Sequence, residues 1–297
     1  MEQGAVAVAD AGRPLELEDR ALIERALSHG GRAPAEYCFA NLFLFRHRHQ
    51  YRLCDRPFRH VRGVTYDGRR HVLPLESWDA DLVSRLPALG VDCLYPLPAE
   101  PLSPDVPAGW TRRWVEADSD YWFDGPAMAR MAFSKDRRAQ AARFAREHAP
   151  VFESWGSASG DVARCVLDGW LSDVGRDIEQ TDHVECHEAI DLAGRLGLQG
   201  GLVRTSAGEA VAFLLASRRE GNVHVVHFAK GRRIFSGAYP WMFSRYAALS
   251  AARLLNFEQD LGSPGLAQSK RAFAPIERRS KWRLVAPGQA DSGNPAS

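Results

Sequence analysis

Four lysines stand among the 38 Lys and Arg side chains of this 297-residue sequence: Lys135, Lys230, Lys270 and Lys281. The other basic residues are arginines, a bias that a GC-rich genome produces by itself. Under that bias a lysine marks a place where a compact ammonium is preferred to a planar guanidinium. At the end of a strand such an ammonium can stabilise an oxygen that gains negative charge during acyl transfer. Lys230, which closes the run His227-Phe-Ala-Lys230, is the candidate. A surface lysine or a structural ion pair accounts for it equally well. Glu258 and Asp260 end the next strand-like run. Carboxylates there can orient an ammonium or take a proton. For Asp260 the competing role is a cap for the turn at 261–265, because Asp accepts N–H bonds at helix starts. His224 and His227 share one run and are read as facing the same way. A hydrogen-bonded core histidine is the plainer role for His227.

Other chemistries find less support. His183-Val-Glu-Cys-His187 places two histidines one helical turn apart, the spacing of a metal pair, but without a third ligand. No metal is expected. The five cysteines form no Cys-x-x-Cys pair and read as small buried hydrophobes in a reduced, cytoplasmic protein. Formal charges nearly cancel, at +1, which excludes a wholly basic nucleic-acid coater but not a basic patch. No apolar stretch approaches the ~20 residues of a membrane span, and residues 1–13 do not read as a signal peptide.

The elements that must position these residues follow from patterning. Leu15–His29 reads as a helix and 36–46 as a buried aromatic run. Two strand-like stretches flank Tyr66-Asp67-Gly68, a helix covers 79–89 and a strand 91–95. A proline-rich loop spans 96–107, and strand character returns at 114–123. A basic helix over 128–148 precedes an acidic block, 161–191, that holds nine carboxylates and two arginines. Three β-rich runs, 200–204, 210–217 and 223–228, are separated by tight turns. A helix over 239–254, a strand over 255–259, a helix over 264–271 and a strand over 281–285 complete the chain. The order β-β-β-α-β-α-β is that of N-acetyltransferases. The expected fold is therefore α/β with mixed sheets, built as two tandem GNAT-like acyltransferase domains at 1–125 and 126–287. A disordered tail is expected at 288–297.

Five stretches resemble the phosphatidylglycerol lysyltransferase C-terminal-like family. They are Glu36-Tyr-Cys-Phe-Ala-Asn-Leu42; Asp120-Tyr-Trp-Phe123 with Arg137-Arg138 and Arg143-Phe144; and Glu188-Ala189 with Leu196-Gly-Leu-Gln-Gly200. The fourth is His227-Phe-Ala-Lys230 with Gly237-Ala-Tyr239. The fifth is Asn256-Phe-Glu-Gln-Asp-Leu-Gly262, with Gly265-Leu266, Lys270 and Pro275. Two positions depart from the family pattern: Ala139-Gln140 replaces Asn-His, and an acidic residue is missing before Lys230.

The resemblance implies transfer of an aminoacyl group from aminoacyl-tRNA, as co-substrate, to an amine or hydroxyl. With no membrane domain ahead of this unit, a soluble small-molecule or peptide acceptor is expected, in specialised metabolism. No other cofactor is expected. Lys230, Asp260, Glu258 and His227 are then the catalytic candidates. Arg137, Arg138, Arg232, Arg233, Tyr239, Lys270 and Arg271 are the substrate- and tRNA-binding candidates. Three basic segments, 126–150, 228–253 and 268–284, would meet phosphates, which need no base sequence to be bound. Aromatics nearby could stack a terminal base.

Two rivals stay open. An acyl-CoA enzyme would cradle pyrophosphate in a loop patterned Arg/Gln-x-x-Gly-x-Gly/Ala before a helix start. Here Gly237 is present, but Ile234 stands where Arg or Gln is needed. The other rival is a non-catalytic member that only binds a ligand or RNA.

Overall fold

The computed structural model describes residues 11–28, 32–77, 79–98, 106 and 108–289. The chain forms two units, one of Met1–Ser28, Glu36–Ser119 and Ser280–Ser297, the other of His29–Ala35 and Asp120–Arg279. The first unit carries helices α1 (Arg20–Ala26), α2 (Phe39–Leu44) and α3 (Ala80–Arg85). Its strands are β1 (Arg13–Pro14), β2 (Arg52–Cys54), β3 (His60–Val64), β4 (Arg70–Pro74), β5 (Cys93–Leu97) and β6 (Thr111–Trp114). The far end of the chain adds β14 (Trp282–Val285). The seven strands lie in the order β1-β2-β3-β4-β5-β14-β6.

The second unit contains strands β7 (Asp120–Asp124), β8 (Val151–Ser154), β9 (Gln199–Arg204), β10 (Ala210–Arg219), β11 (Val223–Gly231), β12 (Leu254–Asn256) and β13 (Glu277–Arg279). Its helices are α4 (Gly125–Ala129), α5 (Lys135–His148), α6 (Ser159–Val174), α7 (His183–Asp191), α8 (Ala193–Leu196), α9 (Ala238–Ser250) and α10 (Pro264–Arg271). The sheet order is β13-β7-β12-β11-β10-β9-β8, antiparallel except for the β11–β12 pair. Val211 to Ala216 of β10 are all fully buried, as a strand covered on both faces must be. Ala212, Leu214 and Ala216 pack in one cluster with Met242 and Tyr246 of α9, and α6 also lies on β10 and β11.

The β9–β10–β11 meander forms where the alternating runs place it. The unit boundary does not fall at 125/126. The strand Asp120–Asp124 pairs with β12 and β13, and β14 pairs with β5 and β6. Apolar patterning marks a strand but not the sheet it joins: 120–124 belongs to the second unit and 280–287 to the first. Residues 128–148 are two helices rather than one. Met131 turns left-handed (φ 55°) and Ser134 caps α5 with its side chain. The strand expected over 255–259 stops at Asn256. Of the expected proline loop, 99–105 and 107 lie outside the described residues, as do 290–297 of the expected tail. Pro96 belongs to β5. Among the described residues no helix is long and apolar enough to cross a membrane.

Return of the chain to the first unit is anchored by a buried ion pair. Lys281, 1% exposed, donates to both carboxylate oxygens of Glu36 at 2.7 and 3.0 Å. Next to it Arg283 binds Asp118 at 2.7 Å and Asp67 at 2.7 Å. Replacing Lys281 by Met leaves the buried Glu36 carboxylate without its ammonium. The expected loss is about 3–5 kcal/mol of stability, read as a lower urea midpoint. Adding Glu36→Gln to that variant recovers much of the loss.

Candidate functional site

The site grows from the place where the β11–β12 ladder ends. The pair is parallel and spans only Val223–Leu254, His224–Leu255 and Val225–Asn256. Beyond it the backbone of 257–260 needs other partners. Phe257 N–H donates to Tyr121 C=O (2.9 Å) and Tyr121 N–H to Glu258 C=O (3.1 Å). Lys270, from α10, donates to the carbonyls of Phe257 (2.5 Å), Gln259 (2.6 Å) and Glu258 (3.3 Å). Glu258 itself is left-handed, with φ 58°. This tie fixes the direction in which the Glu258 side chain leaves the loop.

Glu258 points at His227. A register shift between Leu215 and Ala216 leaves His227 as the extra residue of β11. Its ring is fully buried, with Nδ1 2.8 Å from Glu258 Oε1 and Nε2 2.8 Å from Ser217 Oγ. A carboxylate only accepts, so Nδ1 carries a proton, while the Ser217 hydroxyl can donate to Nε2 or accept from it. The Glu258 side chain remains 18% exposed. His224 does not join this group. Its Nδ1 lies 2.6 Å from Tyr246 Oη on α9. The expected shared face fails because His224 and His227 are three positions apart, and an odd spacing puts two strand residues on opposite faces. Burial, aided by Arg218, lowers the His224 pKa to about 4.

The other candidates have different neighbours. Lys230 is buried, 2.5 Å from Asp182 Oδ1 and 3.9 Å above the Trp170 ring. This is the ion pair weighed as its structural role, with an aromatic face added. Asp260 accepts from Tyr121 Oη (2.7 Å) and Gly262 N–H (2.9 Å), with Arg278 at 3.6 Å. It anchors the turn before α10, whose cap is Ser263. Tyr239 bonds the Gly231 backbone, and burial raises its pKa. Arg137 reaches Gln140 (3.1 Å) and Ser269 (3.3 Å), and Arg138 donates to Phe133 C=O (2.5 Å). Arg232 and Arg233 both bind Asp173. Arg271 is exposed.

Ser217, Asp182, Trp170 and Asp173 were not singled out from sequence. Each meets its partner across strands or helices, and local spacing carries no sign of that. His183 contacts Asp168 (3.1 Å) and His187 contacts Asp191 (3.3 Å). Among the described residues no group of three side chains could hold a metal ion. Burial pushes the Cys93 thiol up to about 12 and Cys186 well above its usual value, so neither is a ready nucleophile.

Known proteins place this geometry. Residues 132–285 match the family "phosphatidylglycerol lysyltransferase, C-terminal". The chain belongs to this family. No curated protein sequence matches it. A conserved protein of unknown function from Bacteroides thetaiotaomicron has the same fold at 18% identity and a TM-score of 0.80, with 93% of this chain and 99% of that chain covered. L-PGS from Bacillus licheniformis aligns at 14% identity and TM-score 0.61, covering 95% of each chain. The C-terminal domain of a putative lysylphosphatidylglycerol synthetase from Agrobacterium fabrum aligns at 16% identity and TM-score 0.61, covering 91% of this chain and 92% of that one. The fold is thus mixed α/β, with two seven-stranded mixed sheets, and is shared with these structures. Membership makes this chain part of a transferase family with an acyltransferase-like fold.

Two measurements follow. Lys270→Met strips a charged donor from three carbonyls. It should cost about 2–3 kcal/mol in urea unfolding and raise amide exchange at 257–260. His224 is held neutral with a folded pKa below its unfolded one, so its share of stability is complete above pH ~6.5 and lost as pH falls toward about 4. Between pH 7 and 5 that share is about 2 kcal/mol. His224→Asn should flatten the urea-midpoint profile by a corresponding amount.

Proposed function

We propose that this chain moves an aminoacyl group from charged tRNA to the amine or hydroxyl of a soluble small-molecule or peptide acceptor, in specialised metabolism. The observation that carries the reading is the Ser217–His227–Glu258 chain at the end of the β11–β12 ladder. An aminoacyl ester is already activated. The enzyme must take a proton from the acceptor, stabilise the carbonyl oxygen and protonate the departing ribose 3′-oxygen. Glu258 is the base: its partly exposed carboxylate accepts the proton as the acceptor attacks the ester carbon. The new C–N or C–O bond forms, the ester C–O bond breaks, and that proton leaves with the ribose oxygen. His227 donates to Glu258 and aims it. Lys230 is the ammonium assigned to the developing oxyanion, and Asp182 and Trp170 hold it in place beforehand.

The tRNA surface is narrower than the three basic segments. The acidic block neutralises much of the second, through Asp182 on Lys230 and Asp173 on Arg232. In the third, Arg278, Arg279, Lys281 and Arg283 pair with Asp260, Glu277, Glu36 and Asp118. The α5 face differs. With about 3.6 residues per turn, Lys135, Arg138, Arg143 and Arg146 fall on one exposed side, opposite buried Ala141 and Phe144. Ala139 and Ala142 lie between these cations and leave room for a sugar–phosphate backbone.

The test is binding and release. The protein should retard charged tRNA at low salt and accelerate loss of its label when an amine is supplied. Glu258→Gln should keep tRNA binding and slow transfer by 10²–10⁴-fold, on the order expected for a lost general base. Alanine at Lys135, Arg143 and Arg146 together should lower the slope of log K against log salt by roughly 2–3. A protein that purifies free of RNA and binds no tRNA at low salt overturns the proposal.

A further inference from the structure

The loop between β11 and α9, residues 231–237, is where an acyl-CoA enzyme of this fold would seat the pyrophosphate, on N–H groups ahead of a helix start. In this chain Arg232 and Arg233 of that loop turn to a carboxylate. Asp173 accepts from Arg232 Nε (2.9 Å), Arg232 Nη2 (3.3 Å) and the Arg233 backbone N–H (2.9 Å). Its main-chain carbonyl accepts from Arg233 Nη1 (3.2 Å). The Arg232 guanidinium, and then the Arg233 N–H, hold the Asp173 carboxyl below the usual carboxylate range.

The seat is built from both sides. Gly169 lies one turn before Asp173 on the same face of α6. A Cβ at Gly169 would stand 2.6 Å from Arg232 Cδ and 2.8 Å from its Nε. A glycine inside a helix costs about 1 kcal/mol against alanine, so α6 gives up stability to admit this guanidinium. Asp173 itself sits in the last turn of α6, where the negative end of the helix disfavours a carboxylate. The two arginine residues offset that cost. At the other end of the loop, a Cβ at Gly237 would stand 2.2 Å from Gln140 C=O and 3.0 Å from Phe144 Cβ. The loop is therefore pressed against α5. Ile234, 69% exposed, fills the position where the CoA pattern has Arg or Gln.

We propose that Asp173 is a built-in anion that occupies this loop in place of a pyrophosphate, and so excludes acyl-CoA as the acyl donor. The residues present do not fit CoA. A diphosphate approaching the loop meets a fixed carboxylate and finds the Arg232 fork and the Arg233 N–H engaged. Specificity of this kind comes from repulsion of the wrong ligand as much as from attraction of the right one. The inference rests on the geometry of the loop and stands whether or not tRNA supplies the acyl group.

Calorimetry with two probes, acetyl-CoA and inorganic pyrophosphate, tests it on the full chain. The unaltered protein should give no saturable heat with either at millimolar concentration. Asp173→Ala should bind pyrophosphate at least ten-fold more tightly than the unaltered protein, and adding Arg232→Ala should abolish that gain. Asp173→Asn keeps the side-chain shape while removing its charge, and serves if circular dichroism shows the alanine variant unfolded. Tight binding of acetyl-CoA by the unaltered protein overturns the proposal. So does an unchanged pyrophosphate affinity in a folded Asp173 variant.

Discussion

A parallel ladder that stops after three residue pairs shapes the second unit. Where β11 and β12 cease to bond, the backbone of 257–260 has donors and acceptors that β11 no longer satisfies. Buried peptide groups cannot be left unpaired without a cost comparable to a lost hydrogen bond. Lys270 and Tyr121 meet that demand, and Glu258 is left-handed as a result. The bulge at His227 lies on the neighbouring strand just past the same point. One interruption of a sheet thus places a carboxylate and an imidazole within hydrogen-bonding distance of each other.

Charge is organised by the same economy of neighbours. In the linear sequence the acids of 161–191 and the bases of 228–253 look like separate surfaces. In the fold α6 and α7 bring Asp173 and Asp182 to Arg232 and Lys230. A near-neutral protein then shows solvent a basic face at α5, where Arg143 lies 3.8 Å from Glu147. Net charge and local run charge both misjudge such a surface, because each ignores which helix packs on which strand.

What patterning could read is visible element by element. The β9–β10–β11 meander is legible because buried Val211 to Ala216 form a run that only a covered strand explains. His227 and Glu258 are legible as types, since a histidine and a carboxylate at strand ends are unusual there. Their contact is not, because it depends on a bulge that shifts register by one residue. Ser217 is hidden for the same reason. Lys270 reads as a phosphate ligand until the three carbonyls around it are seen. The strand at 120–124 reads correctly as a strand, but nothing local tells which sheet it completes.

The placement of β14 carries a consequence for synthesis. This strand lies between β5 and β6, inside the first sheet, yet the ribosome makes it after the whole second unit. While the chain grows, the first sheet has a vacant slot, and Glu36 waits without its ammonium. A nascent chain that stalls before residue 282 therefore exposes two unpaired strand edges. Unpaired edges of that kind can pair with another chain, so the last strand made is also the one that closes the first sheet against such pairing.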